Sequence, residues 1–186
     1  MNIEEWNHRY RSGERAGDAS QDPTLLLEET TQSLPPGKAL DLACGAGRNA
    51  IYLAQRGWEV TAVDGASAAI EMLRSRSNAI RAVVADLQLH EFVIEPDAWD
   101  LIMSCYYLQR DLIPQIIVGT KPGGVVLVIA HTPDPGDELN DKRAAPGELR
   151  TFFPMNGWEI LHHYEGPSRD PAHKRPVAEI VARRLG

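Results

Sequence analysis

Two glycines and three aspartates in the first half of the chain have the types and spacing of a nucleoside site. Gly45 and Gly47 follow the apolar run Leu40-Asp41-Leu42-Ala43-Cys44. Glycines at such a turn let the backbone approach a ligand closely, and a following helix presents free N–H groups. Asp64 lies at the end of the next apolar run. A carboxylate there accepts hydrogen bonds from both ribose hydroxyls, each charge-assisted bond contributing about 1.5–3 kcal/mol. Asp86, at the end of a third run, is placed for an adenine amino group. Asp41 stands four residues before Gly45. Its charge suits a cationic, amino-bearing ligand and repels a pyrophosphate. Ala43, Arg48, Gly65 and Leu87 adjoin these positions and complete the candidate binding turns, Arg48 as a partner for a ligand carboxylate.

The elements that must position these residues alternate. Strands are predicted over Lys38 to Ala43, Trp58 to Asp64, Ile80 to Asp86, Trp99 to Cys105 and Val125 to His131. Helices are predicted over Ala46 to Arg56, Ser67 to Ser77 and Asp111 to Gly119. Such alternation gives right-handed crossovers and a parallel sheet, with ligands at the strands' carboxyl ends. Lys121-Pro122-Gly123-Gly124 is predicted as a turn. After a Pro- and Asp-rich loop from Thr132 to Gly147 and a short helix over Glu148 to Phe153, two strands are predicted, Trp158 to Glu165 and Pro176 to Arg183. The connection is too short for a helix, so they should pair antiparallel. Ahead of the sheet, Ile3, Trp6 and Tyr10 share one face of a short helix. A second helix is predicted over Pro23 to Ser33, capped by Asp22.

The fold class expected is therefore α/β, a doubly wound, mostly parallel seven-stranded sheet ending in an antiparallel hairpin. The 186 residues suit one domain, with 1–34 as an N-terminal helical lid and 35–186 as the core. The net charge of −7 argues against a broad nucleic-acid face or polybasic membrane attachment. No signal peptide or spanning segment is read, so a cytoplasmic protein is expected. Two cysteines make no disulfide framework, and His162 and His163 fall on opposite strand faces, so no metal site is expected.

The segment Asp41-Leu-Ala-Cys-Gly-Ala-Gly-Arg-Asn49 resembles the first motif of class I S-adenosylmethionine-dependent methyltransferases. Asp64 and Asp86 stand at that family's second and third acidic positions, and the closing hairpin resembles its usual ending. Trp6-Asn-His-Arg-Tyr10 and Trp158-Glu-Ile-Leu-His162 are similar to the small bacterial methyltransferases of the tellurite-resistance type. Ala43 departs from the family's usual glycine and should be tolerated if φ stays negative there. The resemblance implies S-adenosyl-L-methionine as cofactor and in-line methyl transfer to a small molecule or oxyanion.

Asp41, Ala43, Gly45, Gly47, Arg48, Asp64, Gly65, Asp86, Leu87, Ser104 and Tyr10 are the cofactor-binding candidates. Ser104, Cys105 and Tyr106 close the fourth strand at the expected mouth of the site. The basic connection Arg169-Asp-Pro-Ala-His173-Lys174-Arg175 joins the last two strands. His173 and Arg175 are its candidate catalytic residues, His173 as a base and Arg175 toward an anionic acceptor, a role the resemblance also implies. Two other functions fit part of the pattern. Gly45-x-Gly47-x-x-Ala50 matches a dinucleotide fingerprint, hence an NAD(P)-dependent oxidoreductase. A non-catalytic S-adenosylmethionine-binding module would carry the same motifs. A monomer or small homo-oligomer acting on a small molecule, without nucleic acid or membrane, is expected.

Overall fold

A computed structural model describes residues 2–13, 21–134, 136–138 and 140–186. Residues 14–20 of the polar stretch that was expected to follow the first helix lie outside them. The seven strands follow the order β3-β2-β1-β4-β5-β7-β6. Two compact units meet in sequence between Val93 and Ile94.

The first unit carries α1 (Ile3–Ser12), α2 (Leu25–Thr31), β1 (Lys38–Leu42), α3 (Arg48–Ala54), β2 (Glu59–Asp64), α4 (Ser67–Arg76) and β3 (Arg81–Val84). β1 and β3 both pair parallel to β2. Leu40, Leu42, Leu53, Val63, Ile70 and Leu73 are fully buried and form its core. The parallel strands are apolar on both faces because helices cover both. α2 starts later than its sequence suggests. Its N-cap is Thr24, not Asp22, and no side chain caps it. The Thr24 N–H is instead bonded by Asn49 Oδ1 at 2.9 Å.

α1 is joined to α4 by a polar contact that the apolar pattern hides. Asn7 is buried, and its Oδ1 accepts from Ala68 N–H at 2.9 Å and from Ser67 Oγ at 3.3 Å. Ala66, the local N-cap of α4, has no side-chain acceptor to offer. Asn7 supplies from another helix the bond an N-cap side chain normally makes.

The second unit carries β4 (Trp99–Cys105), α5 (Ile113–Gly119), β5 (Thr120–His131), α6 (Glu148–Thr151), β6 (Trp158–Gly166) and β7 (Val177–Arg184). β4 and β5 are parallel, and β7 pairs antiparallel with both β5 and β6. The expected hairpin is present. β6 therefore runs in the direction of β5, and its connection to β7 leaves from the same edge as the end of β5. The predicted turn at Lys121 to Gly124 is instead drawn into β5. Trp99 faces Thr120 while Leu101 faces Val125, so the extra residues bulge out of the ladder. Gly123, at φ +81°, sits in that bulge.

Candidate functional site

The glycine turn between β1 and α3 is built by close backbone approach. Gly45 and Gly47 have φ of +56° and +82°. A Cβ on Gly45 would lie 2.6 Å from the Tyr10 hydroxyl, and one on Gly47 would lie 2.4 Å from Leu73 Cδ1. Both positions call for glycine by conformation, and a Cβ at either would also have to displace the tip of a neighbouring side chain. Because these residues form the turn, α3 begins at Arg48 and not at Ala46. Ala43 does not meet the condition set for it: its φ is +56°, the left-handed region. It occupies a glycine-like conformation with a Cβ, which stores strain.

Asp64 closes the turn from the other side. Its Oδ2 accepts the Gly45 N–H at 2.8 Å, and its Oδ1 accepts the Ala66 N–H at 2.8 Å. The carboxylate shapes the loop that would receive the ligand, a role the sequence does not reveal. Burial holds its pKa above the ordinary value, and the Ala66 and Gly45 N–H groups oppose that rise. Gly65 lies under Ile3, whose Cδ1 is 2.8 Å from where a Cβ would be. Both Ile3 and Tyr10 of α1 thus cover the turns that carry Gly65 and Gly45.

Asp41 is the most unusual group of the unit. It is 2% exposed, and its Oδ2 has no hydrogen-bond partner among the described residues. Burial, and then the nearby Asp64 charge, push its carboxyl up to about 8. Arg48 and the Ala50 N–H pull the other way without cancelling the shift. Arg48 also donates to the Asp22 carbonyl at 3.3 Å. A buried carboxylate short of a partner is costly unless a cation or donor completes it. An amino-bearing, positively charged ligand at the glycine turn fits that need, and a pyrophosphate does not.

Asp86 follows β3 and sits in a local turn: its Oδ1 accepts from Gln88 N–H at 2.8 Å. Leu87, beside it, is buried. Ten of the eleven expected cofactor residues thus belong to the first unit. Ser104 belongs to the second, where its hydroxyl donates to the Tyr107 carbonyl at 2.8 Å and holds the turn after β4.

The second unit collects a different group. His173 stacks on Tyr106 with centroids 3.4 Å apart and planes 6° apart. Its Nδ1 is 3.3 Å from His131 Nε2. The Tyr106 hydroxyl donates to Asp170 Oδ2 at 3.0 Å. The basic connection is also less basic than its sequence suggests. Arg175 lies 3.6 Å from Asp134 and 3.9 Å from Asp137, and Arg169 pairs with buried Glu179 at 3.3 Å. The acidic loop has thus found the basic hairpin. Asn7, His131 and Asp170 were missed in sequence because each acts through a partner distant in the chain.

Among the described residues, no cluster of three or more His, Cys, Asp or Glu side chains is arranged to hold a metal ion. No described helix is long and apolar enough to cross a membrane.

Against known families, residues 25–169 match the model of the tellurite resistance protein TehB. The chain belongs to the TehB family. It is 29% identical over 151 residues to a Haemophilus influenzae protein named "Probable S-adenosyl-L-methionine-dependent methyltransferase TehB", covering 74% of this chain and 51% of the relative. It is 31% identical over 156 residues to hemagglutinin 1 of Eikenella corrodens, covering 75% of this chain and 49% of that one. The chain spans about half the length of these curated relatives. The crystal structure of TehB from Haemophilus influenzae superposes with a TM-score of 0.67 at 27% identity, over 84% of this chain and 60% of that one. The fold is the Rossmann-like fold of class I methyltransferases. The cofactor expected of such a TehB-type chain is S-adenosyl-L-methionine.

Proposed function

We propose that this chain transfers a methyl group from S-adenosyl-L-methionine to a small acceptor, a small molecule or an oxyanion. The observation that carries the reading is the buried Asp41 carboxylate, with one oxygen unpartnered among the described residues, beside a turn whose two glycines hold positive φ. When bound, the cofactor supplies an activated methyl group open to in-line displacement. The chain's own residues bind, orient and exclude water. Asp41 balances the ligand's positive charge. Gly45 and Gly47 admit it, and Asp64 holds the Gly45 turn in place while offering charge to the ribose. Asp86 and Leu87 flank the base. Ile3 and Tyr10 make α1 a lid over these turns.

His173 accepts a proton when the acceptor is protic, and Arg175 orients an anionic acceptor. With Arg175 already matched by Asp134 and Asp137, attraction of anions by net positive charge is weak, so the acceptor is selected at close range. Membership of a tellurite-resistance family favours a chalcogen compound. Such soft nucleophiles need little help from a base. On this reading the protein works in the cytoplasm as a monomer or small homo-oligomer, without nucleic acid or membrane, in line with its charge of −7.

The experiment is release of S-adenosylhomocysteine across selenite, tellurite, thiols, small phenols, RNA and a protein lysate. Turnover confined to one or more of the small acceptors is expected. Methylation of RNA or protein with every small acceptor inert would overturn the reading.

A further inference from the structure

Three rings meet where β4 and β5 end. Tyr106 directly follows β4 and holds φ +63°, an unusual conformation for a bulky residue. That backbone turns its ring flat against His173. His131, the last residue of β5, lies 5.3 Å from both rings, centroid to centroid. Asp170 braces the arrangement. One carboxylate oxygen takes the Tyr106 hydroxyl, and the other takes the Ala172 N–H at 2.9 Å, one residue before His173. The His173 ring is therefore fixed on one face by the stack and at one edge by His131, with a braced turn behind it.

Two imidazoles joined nitrogen to nitrogen hold one proton between those atoms: one donates and the other accepts. Which one donates decides where the remaining lone pair of each neutral ring lies. We propose that His131 is a positioning residue that accepts the Nδ1–H of His173 through its own Nε2 and so leaves the lone pair of His173 on Nε2. This rests on the reading of His173 as the proton acceptor for a protic methyl acceptor. In that step the acceptor's proton moves to His173 Nε2 and the ring becomes an imidazolium. The second N–H remains bonded to His131, and the new proton later returns to solvent. The logic is that of any base whose far nitrogen is held by an orienting group.

The surroundings of His131 agree with an accepting role. Burial first, and then the charges of Arg175 and Arg143, hold its pKa below the ordinary imidazole value, against the opposing Pro176 carbonyl and Asp134. At neutral pH the ring is uncharged and carries a single proton. The Pro176 carbonyl pulls toward a proton on this ring, although Nδ1 is buried and makes no hydrogen bond of good geometry among the described residues; with Nε2 engaged by His173, Nδ1 is where that proton sits. Tyr106 stacks on His173, and Asp170 takes the Tyr106 hydroxyl.

The test is long-range ¹H–¹⁵N correlation of the histidine rings in the full chain, without ligand, at neutral pH. The wild-type protein and His131→Gln, whose amide oxygen reaches a similar place, are expected to show His173 protonated on Nδ1. His131→Phe is expected to release it to the Nε2–H form that free imidazole side chains favour. An Nε2–H ring in the wild-type protein, or an Nδ1–H ring persisting in His131→Phe, overturns the proposal. Kinetics separate this from the functional reading. In His131→Phe, kcat for a small phenol should fall about tenfold or more while KM barely moves, and His131→Gln should recover most of the loss. Transfer to an acceptor that is already deprotonated, such as a thiolate, should be unchanged. An equal loss with both acceptors counts against a positioning role. If no acceptor is methylated by the wild-type chain, the functional reading falls while the tautomer result still stands or fails by itself.

Discussion

The Asp64 carboxylate accepts the Gly45 N–H at 2.8 Å, tying the end of β2 to the glycine turn after β1. This bond, with its companion to Ala66 N–H, gives Asp64 two tasks. Asp64→Ala should weaken cofactor binding by about 2–3 kcal/mol, the loss of charge-assisted bonds. It should also destabilise the free protein by about 1–3 kcal/mol, because two backbone donors lose their acceptor. Calorimetry and urea denaturation on the same variant check both. A variant that loses affinity without losing stability would show that the loop does not depend on this carboxylate.

Ala43→Gly should stabilise the protein. A left-handed residue with a Cβ costs roughly 1–2 kcal/mol, whereas glycine's extra freedom in the unfolded chain costs roughly 0.5–1 kcal/mol. Relief of strain wins, by about 0.5–1 kcal/mol. Thermal or chemical denaturation reads it. A drop in stability would mean that Ala43 sits comfortably at positive φ.

Asn7→Ala should cost about 1–2 kcal/mol, the usual value of a lost N-cap. The reason is that Ala68 N–H and Ser67 Oγ lose their shared acceptor. As α1 carries Tyr10 over Gly45, cofactor affinity should fall as well. Hydrogen exchange at the start of α4 is the direct check: protection at Ala68 should drop in the variant, and unchanged protection would remove Asn7 from the capping role.

These predictions also mark what could be read from sequence. The alternation of apolar runs and amphipathic segments is a local signal, so the strands, the crossovers and the closing hairpin were legible. The glycine turn was legible because glycine spacing reports backbone need. The bulge at Lys121 to Gly124 was not, since Pro-Gly-Gly has the same composition in a turn and in a strand irregularity. Thr24 replaced Asp22 as the cap because Asn49, distant in the chain, satisfies the Thr24 N–H. The contacts Asn7–Ala68 and His131–His173 span 61 and 42 residues, and no period or spacing encodes them. The sign of φ at Ala43 stayed open because side-chain type reports preference, and the neighbouring Gly45 and Gly47 turns dictate the conformation.

Asp41 gives the fold a pH dependence of definite sign. Its folded pKa of about 8 lies far above an unfolded carboxyl, so between about pH 4 and 8 the folded state binds the extra proton. The contribution is therefore harmless below about pH 4, and it lowers stability progressively as pH rises toward 8. Asp41→Asn should remove that slope. The stability gained by the variant over the wild-type protein should be larger at pH 8 than at pH 5, measured as Tm without ligand. A difference that does not grow with pH would contradict a raised Asp41 pKa.

Calorimetric titration of the purified chain with S-adenosylmethionine, S-adenosylhomocysteine and NAD distinguishes a methyl-donor site from a dinucleotide site. The two S-adenosyl compounds should bind and NAD should not. Near neutral pH, S-adenosylmethionine should displace a proton from Asp41, seen as a binding heat that changes with the ionisation enthalpy of the buffer. That dependence should vanish in Asp41→Asn, together with much of the affinity. Tight binding of NAD with no response to either S-adenosyl compound would make this a dinucleotide site and not a methyl-donor site.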